Sequence, residues 1–359
     1  MDLPVMPPVE PMLAKAATAV PPQPGDSTGT GTSDWLYEPK WDGFRCVVFR
    51  DGDEVVLGSR NTKPLTRYFP EIVAAVRAEL PERCVVDGEL FVAADGGGRL
   101  AWESLSQRIH PAQSRITTLS QETPAQFVAF DLLALGDEDL TSRPLRQRRA
   151  ELTTALAGCG PVTHVTTATT DAGVATDWFT RFEGAGLDGV VAKPLDSTYR
   201  QKERVMTKVK HRRTAECVVI GYREHKSVRG IGSMLLGLHT PDGIRNVGGA
   251  SAFTTVRRGE LLDQLTQLRL GDDVRAPGEQ NRWNAREDSS WVPVQQVLVC
   301  EVEYDQLEGE RFRHSPRFLR WRPDKDPQDC TLDQLEVPVS YDLGDVLAGT
   351  ASNPSGSGV

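Results

Sequence analysis

The chain lacks most of the features that would announce a purpose. Its six cysteines, at 46, 84, 159, 217, 300 and 330, are scattered, and no two form a C-x-x-C pair. That excludes a disulfide framework and a thiolate zinc site, and suits reduced, mostly buried thiols. No apolar run is long enough to span a bilayer. The opening "MDLPVMPPVEPMLA" is acidic and proline-rich, without the basic and apolar regions of a signal peptide. Internal repeats are missing too. Positive charge is in deficit: 41 Lys and Arg face 50 Asp and Glu, a net charge of −9 that by itself argues against a nucleic-acid partner. What is present is an ordinary globular composition, 39% apolar and 25% charged, in 359 residues, a length that favours two compact domains.

The distribution of charge reverses the first inference. Residues 196–213, "DSTYRQKERVMTKVKHRR", hold seven Lys/Arg against two acids, and residues 311–325, "RFRHSPRFLRWRPDK", hold six against one. From Asp326 onward there are six acids and no Lys or Arg. The basic residues are clustered and part of the acidity belongs to the C-terminal stretch, so a phosphate-rich partner is back in play.

Residues 20–34, "VPPQPGDSTGTGTSD", read as a flexible insertion, and the terminal "SNPSGSGV" as disordered. From Trp35 strands dominate. "CVVF-RDGD-EVVL" is a hairpin signal, apolar runs around an Asp-Gly turn. "PEIVAAVRAEL" (70–80) spaces Ile72, Val73, Val76 and Leu80 for a helix that Pro70 begins. "RCVVDGELFVA" (83–93), "FVAFDLLAL" (127–135) and "DGVVAK" (188–193) are short bounded strands, and 144–156 is helical. After Arg213 the composition shifts to a β-rich unit with one helix near 255–270. In "VLVCEVEY", Leu298, Cys300, Val302 and Tyr304 share one face and Glu301 and Glu303 the other. Five or so strands with one helix suit a small barrel of the OB type. The expected division is therefore 1–212, 213–330 and an acidic, flexible tail 331–359, with a hinge near 211–214.

One stretch raises a chemical question. "EPKWDGFR" (38–45) sets Lys40 between a proline and a Trp-Asp-Gly turn, with Arg45 close behind. A lysine amine is a poor nucleophile at its ordinary pKa of about 10.4 and needs neighbouring cations or partial desolvation to act as one. A strand end running into a turn would hold it in place. The tetrapeptide alone is equally compatible with a plain strand end, but other pieces follow in order. Arg60 ends the hairpin in "GSRN", Glu89 lies in "VVDGEL", and Phe130 stands beside Asp131 in "FDLL". Asp188 and Lys193 sit in "DGVVAK", Lys208 and Lys210 in "KVK", and Arg317, Arg320, Arg322 and Lys325 in "RFLRWRPDK". Singly, Phe130 is ordinary core, the acids ordinary strand ends, and the lysines a solvated face. Together they form one fixed series.

That series resembles the covalent nucleotidyltransferase superfamily of DNA ligases, RNA ligases and mRNA capping enzymes. Within it the chain resembles an ATP-dependent DNA ligase of the bacterial ligase C group, near the ligase domain of ligase D. "EPKWDGFR", "VVDGELFV", "FDLL…PLRQRRAEL", "DGVVAK" and "RFLRWRPDK" carry the match over roughly residues 10–330. The resemblance implies an α+β two-domain ligase core: a nucleotidyltransferase (adenylation) domain of antiparallel sheets with helices, followed by an OB-fold β-barrel. It implies that Lys40 takes AMP from ATP, passes it to the 5′-phosphate of a nick in duplex DNA, and that the 3′-hydroxyl then displaces it. Glu38 would lie against the adenine, Phe130 would stack on it, and Arg45 with Glu89 would hold the ribose. Lys193, Lys208 and Lys210 would surround the α-phosphate. Asp188, with Glu89, would hold magnesium, with manganese an alternative. Arg60 would grip the nick 5′-phosphate, and Arg322, Asp324 and Lys325 would orient pyrophosphate as the small domain closes.

Two positions depart from the pattern: Asp188 stands where many ligases have Glu, and Met206 where many have Trp. An RNA ligase generally lacks the module carrying "RPDK". A capping enzyme would use GTP, and an NAD-dependent ligase needs an N-terminal domain that 34 residues before Trp35 cannot hold. A non-catalytic OB protein would have no use for the intact lysines. The remaining expectations are a monomer in the cytoplasm at the nucleoid, working in DNA repair beside a primase-polymerase or an end-joining factor.

Overall fold

The computed structural model describes residues 1–25, 34–278, 289–309, 311–336 and 338–349. Residues 26–33 of the expected insertion and the terminal "SNPSGSGV" lie outside the described residues. The chain forms two compact units, Met1–Lys210 with Pro338–Val359, and His211–Val337.

In the first unit the chain begins with β1 (Leu13–Ala17), β2 (Trp35–Pro39), β3 (Phe44–Asp51), β4 (Glu54–Ser59), α1 (Pro70–Glu79) and β5 (Arg83–Val92). It continues through α2 (Trp102–Gln107), α3 (Gln113–Glu122), β6 (Ala125–Leu135), β7 (Glu138–Asp139) and α4 (Leu145–Ala155). Then come β8 (Thr163–Val165), α5 (Ala172–Arg181), β9 (Gly189–Pro194) and β10 (Arg204–Lys210). One sheet runs β4-β3-β5-β6-β7 with β8 added to β6, and another β1-β10-β9-β2. Neighbours pair antiparallel except β1 with β10 and β6 with β8.

The expected hairpin is β3–β4, with Gly52 at φ +59 in its turn, a value glycine adopts without a Cβ penalty. β5 reads as a continuous apolar run because both its faces are covered. Val86, Leu90 and Val92 join a core with Ile72 and Val76 of α1, while Val85 faces a second cluster containing Val47, Phe49 and the N-terminal Leu3, Val9 and Met12.

The second unit contains β11 (Arg213–Glu224), β12 (Ile231–Thr240), β13 (Gly243–Ala250), α6 (Thr255–Thr266) and β14 (Val292–Pro293). It ends with β15 (Val299–Tyr304), β16 (Leu307–Glu308), β17 (Arg311–Phe312) and β18 (Arg317–Trp321). Its main sheet is ordered β13-β12-β11-β15-β18, with β14 on β11, curled in the OB manner, and α6 is the single long helix among its described residues. Cys300, Val302 and Tyr304 are buried on one face of β15, and Glu301 and Glu303 lie on the other.

The tail differs from expectation. The boundary lies between Lys210 and His211, and Cys330 and Leu335 belong to the core of the second unit. The chain then returns to the first unit, where α7 (Leu343–Ala348) buries Leu343 and Val346 among Trp178, Phe182 and Leu187. A stretch read as flexible from its acids carries two apolar anchors at helical spacing, and those decide its place.

Candidate active site

A cavity of about 810 Å³ opens in the first unit, walled by the ends of β1, β2, β3, β4 and β9, one face of β10 (Arg204, Met206, Lys208, Lys210), and Glu89 of β5 with Phe130 of β6. Glu38, Lys40, Arg45, Arg60, Glu89, Phe130, Lys193, Lys208 and Lys210 all line it. Residues up to 172 positions apart in the chain therefore share one hollow, because β2 pairs with β9 and β9 with β10.

Lys40 is the first residue beyond β2. Its N–H donates to the Gly189 carbonyl at 2.8 Å and its carbonyl accepts from the Asp188 N–H at 2.9 Å, so the backbone fixes the lysine against the start of β9. Gly189 is required there: at φ +132, an added Cβ would lie 2.0 Å from the Val209 carbonyl oxygen. The Lys40 amine donates to Asp188 Oδ2 at 2.6 Å, and the same oxygen lies 2.7 Å from the Lys210 amine. Asp188 is 4% exposed. Burial pushes its carboxyl up, but Lys40 and Lys210 outweigh that and hold it below the usual carboxylate value. Lys208 sits in the same crowd of cations. Burial, then the charges of Lys40, Lys210, Arg60 and Arg204, lower its ammonium pKa. An anion entering this end would relieve that repulsion.

The other end is built differently. Glu38, buried, accepts from Lys193 at 2.6 Å on one oxygen and from Arg149 at 3.2 Å on the other. The Lys193 amine lies 4.5 Å from the centre of the Phe130 ring, and the Arg45 guanidinium 4.4 Å from it. The structure thus separates the lysines: Lys208 and Lys210 stand with Lys40, whereas Lys193 stands with Glu38 under the aromatic ring. Arg45 and Glu89 face each other across β3 and β5, yet the guanidinium is held by Asp87 through two bonds of 2.6 Å. Glu89 is left half-buried in the cavity wall, where desolvation raises its carboxyl to about 7, with Arg45 and Lys40 opposing the rise.

Arg60 follows β4 at the exposed rim of the cavity. Arg322, Asp324 and Lys325 belong to the second unit, where Glu216 of β11 binds both cations, Lys325 at 3.0 Å. Asp324 grips Arg322 at 2.8 and 2.9 Å, and that bond is the main cause holding its carboxyl at about 2. Met206, at the position where Trp is common, is buried and lines the cavity.

Sequence reasoning passed over the layer behind these residues. Asp87, fully buried, also accepts from the Tyr199 hydroxyl at 2.7 Å. Asp131 takes two bonds from the fully buried Arg148, at 2.8 and 2.9 Å, and Arg148 donates onward to the Ser197 carbonyl. Trp41 donates to the Thr166 hydroxyl at 2.8 Å, and Arg149 to the Thr166 carbonyl. The signal was available: an aspartate inside each of two apolar strands must find a partner, and "RQRR" on the next helix supplies one.

For a divalent cation, Asp188 Oδ1 is buried without a hydrogen-bond partner. Among the described residues no group of three His, Cys, Asp or Glu could hold a metal. A single orphaned carboxylate oxygen fits a magnesium ion that keeps its waters and leans on substrate phosphates; it does not fit an all-protein cage.

Comparison with known proteins agrees across the chain. The ATP dependent DNA ligase domain family matches residues 11–210, and the ATP dependent DNA ligase C terminal region matches 227–325. DNA ligase C1 of Mycolicibacterium smegmatis is 55% identical over 97% of this chain and 99% of its own length. DNA ligase C of Mycobacterium tuberculosis is 53% identical over the same shares. Among solved structures, a Lig E DNA ligase described as binding DNA with a minimal scaffold shares the fold at a TM-score of 0.53 and 17% identity, over 85% of this chain and 98% of that one.

Proposed function

The chain belongs to the ATP-dependent DNA ligase family, and from that premise we propose how its residues divide the work of sealing a nick. The Lys40 amine attacks the α-phosphorus of ATP: an N–P bond forms, the bond to pyrophosphate breaks, and the amine proton leaves to solvent. The nick's 5′-phosphate oxygen then takes the AMP from nitrogen. Finally the 3′-hydroxyl attacks the activated 5′-phosphorus, closing the phosphodiester and releasing AMP. The observation that carries this reading is the Lys40 amine itself, at the cavity wall with Lys208 and Lys210 beside it. Those cations match the charge that develops on the phosphoryl oxygens.

The opposite end suits adenine. Lys193 offers a donor beside the acceptor Glu38, with Phe130 as a stacking face. Adenine presents an acceptor at N1 and a donor at N6; guanine reverses both, which favours ATP over GTP. Glu89 and the Arg45–Asp87 pair sit where the ribose would lie. Asp188, with Glu89, would hold magnesium or manganese, which when bound neutralises phosphate charge. For Arg60 we propose the nick 5′-phosphate, and for Arg322, Asp324 and Lys325 the orientation of pyrophosphate in the first step. The division into an adenylation domain and an OB domain belongs to the same reading. We place the enzyme at the nucleoid as a monomer in DNA repair, beside a primase-polymerase or an end-joining factor, on its resemblance to the ligase domain of ligase D. Recovery of neither partner from native cells would count against that placement.

The test is intact mass after incubating nucleotide-free protein and magnesium with ATP, GTP or NAD in separate tubes, alongside Lys40→Ala. One AMP gained from ATP alone, and lost in the variant, is expected. A GMP adduct would mean capping chemistry, and an AMP adduct that persists in Lys40→Ala would remove Lys40 as the nucleophile.

A further inference from the structure

The stretch that returns from the second unit does not simply trail across the first. Gly184 lies under it: a Cβ there would meet the Val339 carbonyl oxygen at 1.9 Å and the Tyr341 nitrogen at 2.6 Å. The Tyr341 ring packs on Phe182 at 5.2 Å between centroids, and the Arg181 guanidinium covers it at 4.9 Å. Asp342 caps α7 by accepting from the Gly344 N–H at 2.7 Å, and the Leu343 N–H donates to the Gly98 carbonyl at 3.0 Å. Leu343 and Val346 are 1% and 0% exposed. Backbone approach, ring packing, capping and apolar burial all act on the same short segment.

Its seat leads straight to the site. Phe182–Ala185 is a single 3-10 turn that ends at Gly186, left-handed at φ +87, and passes through buried Leu187 to Asp188. The Ala185 carbonyl accepts from the Leu100 N–H and the Phe182 carbonyl from the Leu187 N–H. Asp188 then binds the Lys40 backbone and amine. From Gly184, beneath Val339, to the carboxylate beside the nucleophile is four residues.

We propose that residues 338–348 are a positioning strap for the adenylation site, holding the 182–188 turn so that Asp188 meets Lys40 and a metal ion in one fixed place. Tyr341, Leu343 and Val346 act through that turn and touch no reacting atom. The inference rests on the reading of Asp188 as a metal-holding residue. It also gives the tail a role outside the ligase family regions, the second of which ends at residue 325.

Gly184→Ala is the lesion of choice, because the nearest atoms its Cβ would meet belong to the strap's backbone. Hydrogen exchange on the metal-free protein should show residues 186–189 opening faster in Gly184→Ala than in wild type. The rate of AMP-adduct formation, followed against magnesium concentration, should show half-saturation moved up about tenfold, the low end for a lost outer-shell support, with the maximal rate largely kept. Tyr341→Ala should move it in the same direction, and Tyr341→Phe should behave as wild type. Wild-type magnesium dependence and exchange in both Gly184→Ala and Tyr341→Ala would overturn the strap while leaving Asp188 standing. Unchanged magnesium dependence in Asp188→Ala would overturn the reading of Asp188 and the strap proposal together.

Discussion

The two basic clusters of this protein have the same net charge along the chain and opposite fates in the fold. Around Lys40, the cations of β10 and the rim face a cavity, Lys40 and Lys210 share one Asp188 carboxylate oxygen, and burial together with the neighbouring cations lowers the Lys208 pKa. On β18, antiparallel pairing lays Arg317 against Glu303 at 3.0 Å and Arg320 against Glu301 at 2.6 Å, while Glu216 on the next strand takes Arg322 and Lys325. One cluster gathers its lysines at a cavity; the other is an ion ladder. Charge counted along the sequence is not surface charge, because the strand pairing decides which acids stand opposite.

The largest expected effect separates the two directly. Lys208→Ala should slow AMP-adduct formation by 100-fold or more, about the cost of removing one preorganised charge-stabilising donor, whereas Arg320→Ala should change it by less than about threefold. Equal losses in single-turnover assays would break the comparison. The next effect is one of pH. The Glu89 carboxyl titrates near 7 in the folded protein and near 4.5 unfolded, so the native state binds the extra proton between those values. Stability is fully present below pH 4.5 and falls as pH rises through 7. Glu89→Gln should therefore raise the melting temperature at pH 8 relative to wild type and make little difference at pH 5. The gain is on the order of 2 kcal/mol once the part-exposed position is allowed for. A variant that shifted melting equally at both values would show that Glu89 does not carry the titration. The smallest effect belongs to the ladder: Glu303→Ala, opposite the 61% exposed Arg317, should cost less than about 1 kcal/mol in denaturant melts.

The readable parts of the site were those where chemistry constrains a residue and its neighbours together. Lys40 and Asp188 could be singled out because each stands in a short pattern at a strand end, while Glu38 followed only from the family resemblance. The partners could not be assigned that way. Nothing near Lys193 in the chain says that its amine turns to Glu38, since that follows from β2 lying against β9 and from the space under Phe130. Arg45 was visible, but Asp87 two residues before Glu89 claims it because both face the same side of β5. The fold was legible where periodicity was strong, as in α1 and the β3–β4 hairpin. It was misread in the tail, where four acids and no Lys or Arg outweighed the spacing of Leu343 and Val346.

The route of the chain also sets a schedule. The apolar cluster around Trp178 and Phe182 is completed by Leu343 and Val346, yet the whole of His211–Val337 is synthesised between them. At ribosomal speeds of about 5–20 residues per second, that delay is roughly ten to thirty seconds. During it, the nascent first unit emerges with its Phe182–Ala185 face bare. The same two-ended attachment means that the second unit cannot be cut away at a single site. A protease nicking near residue 211 would leave both halves held together, and one nicking near 337 would do the same.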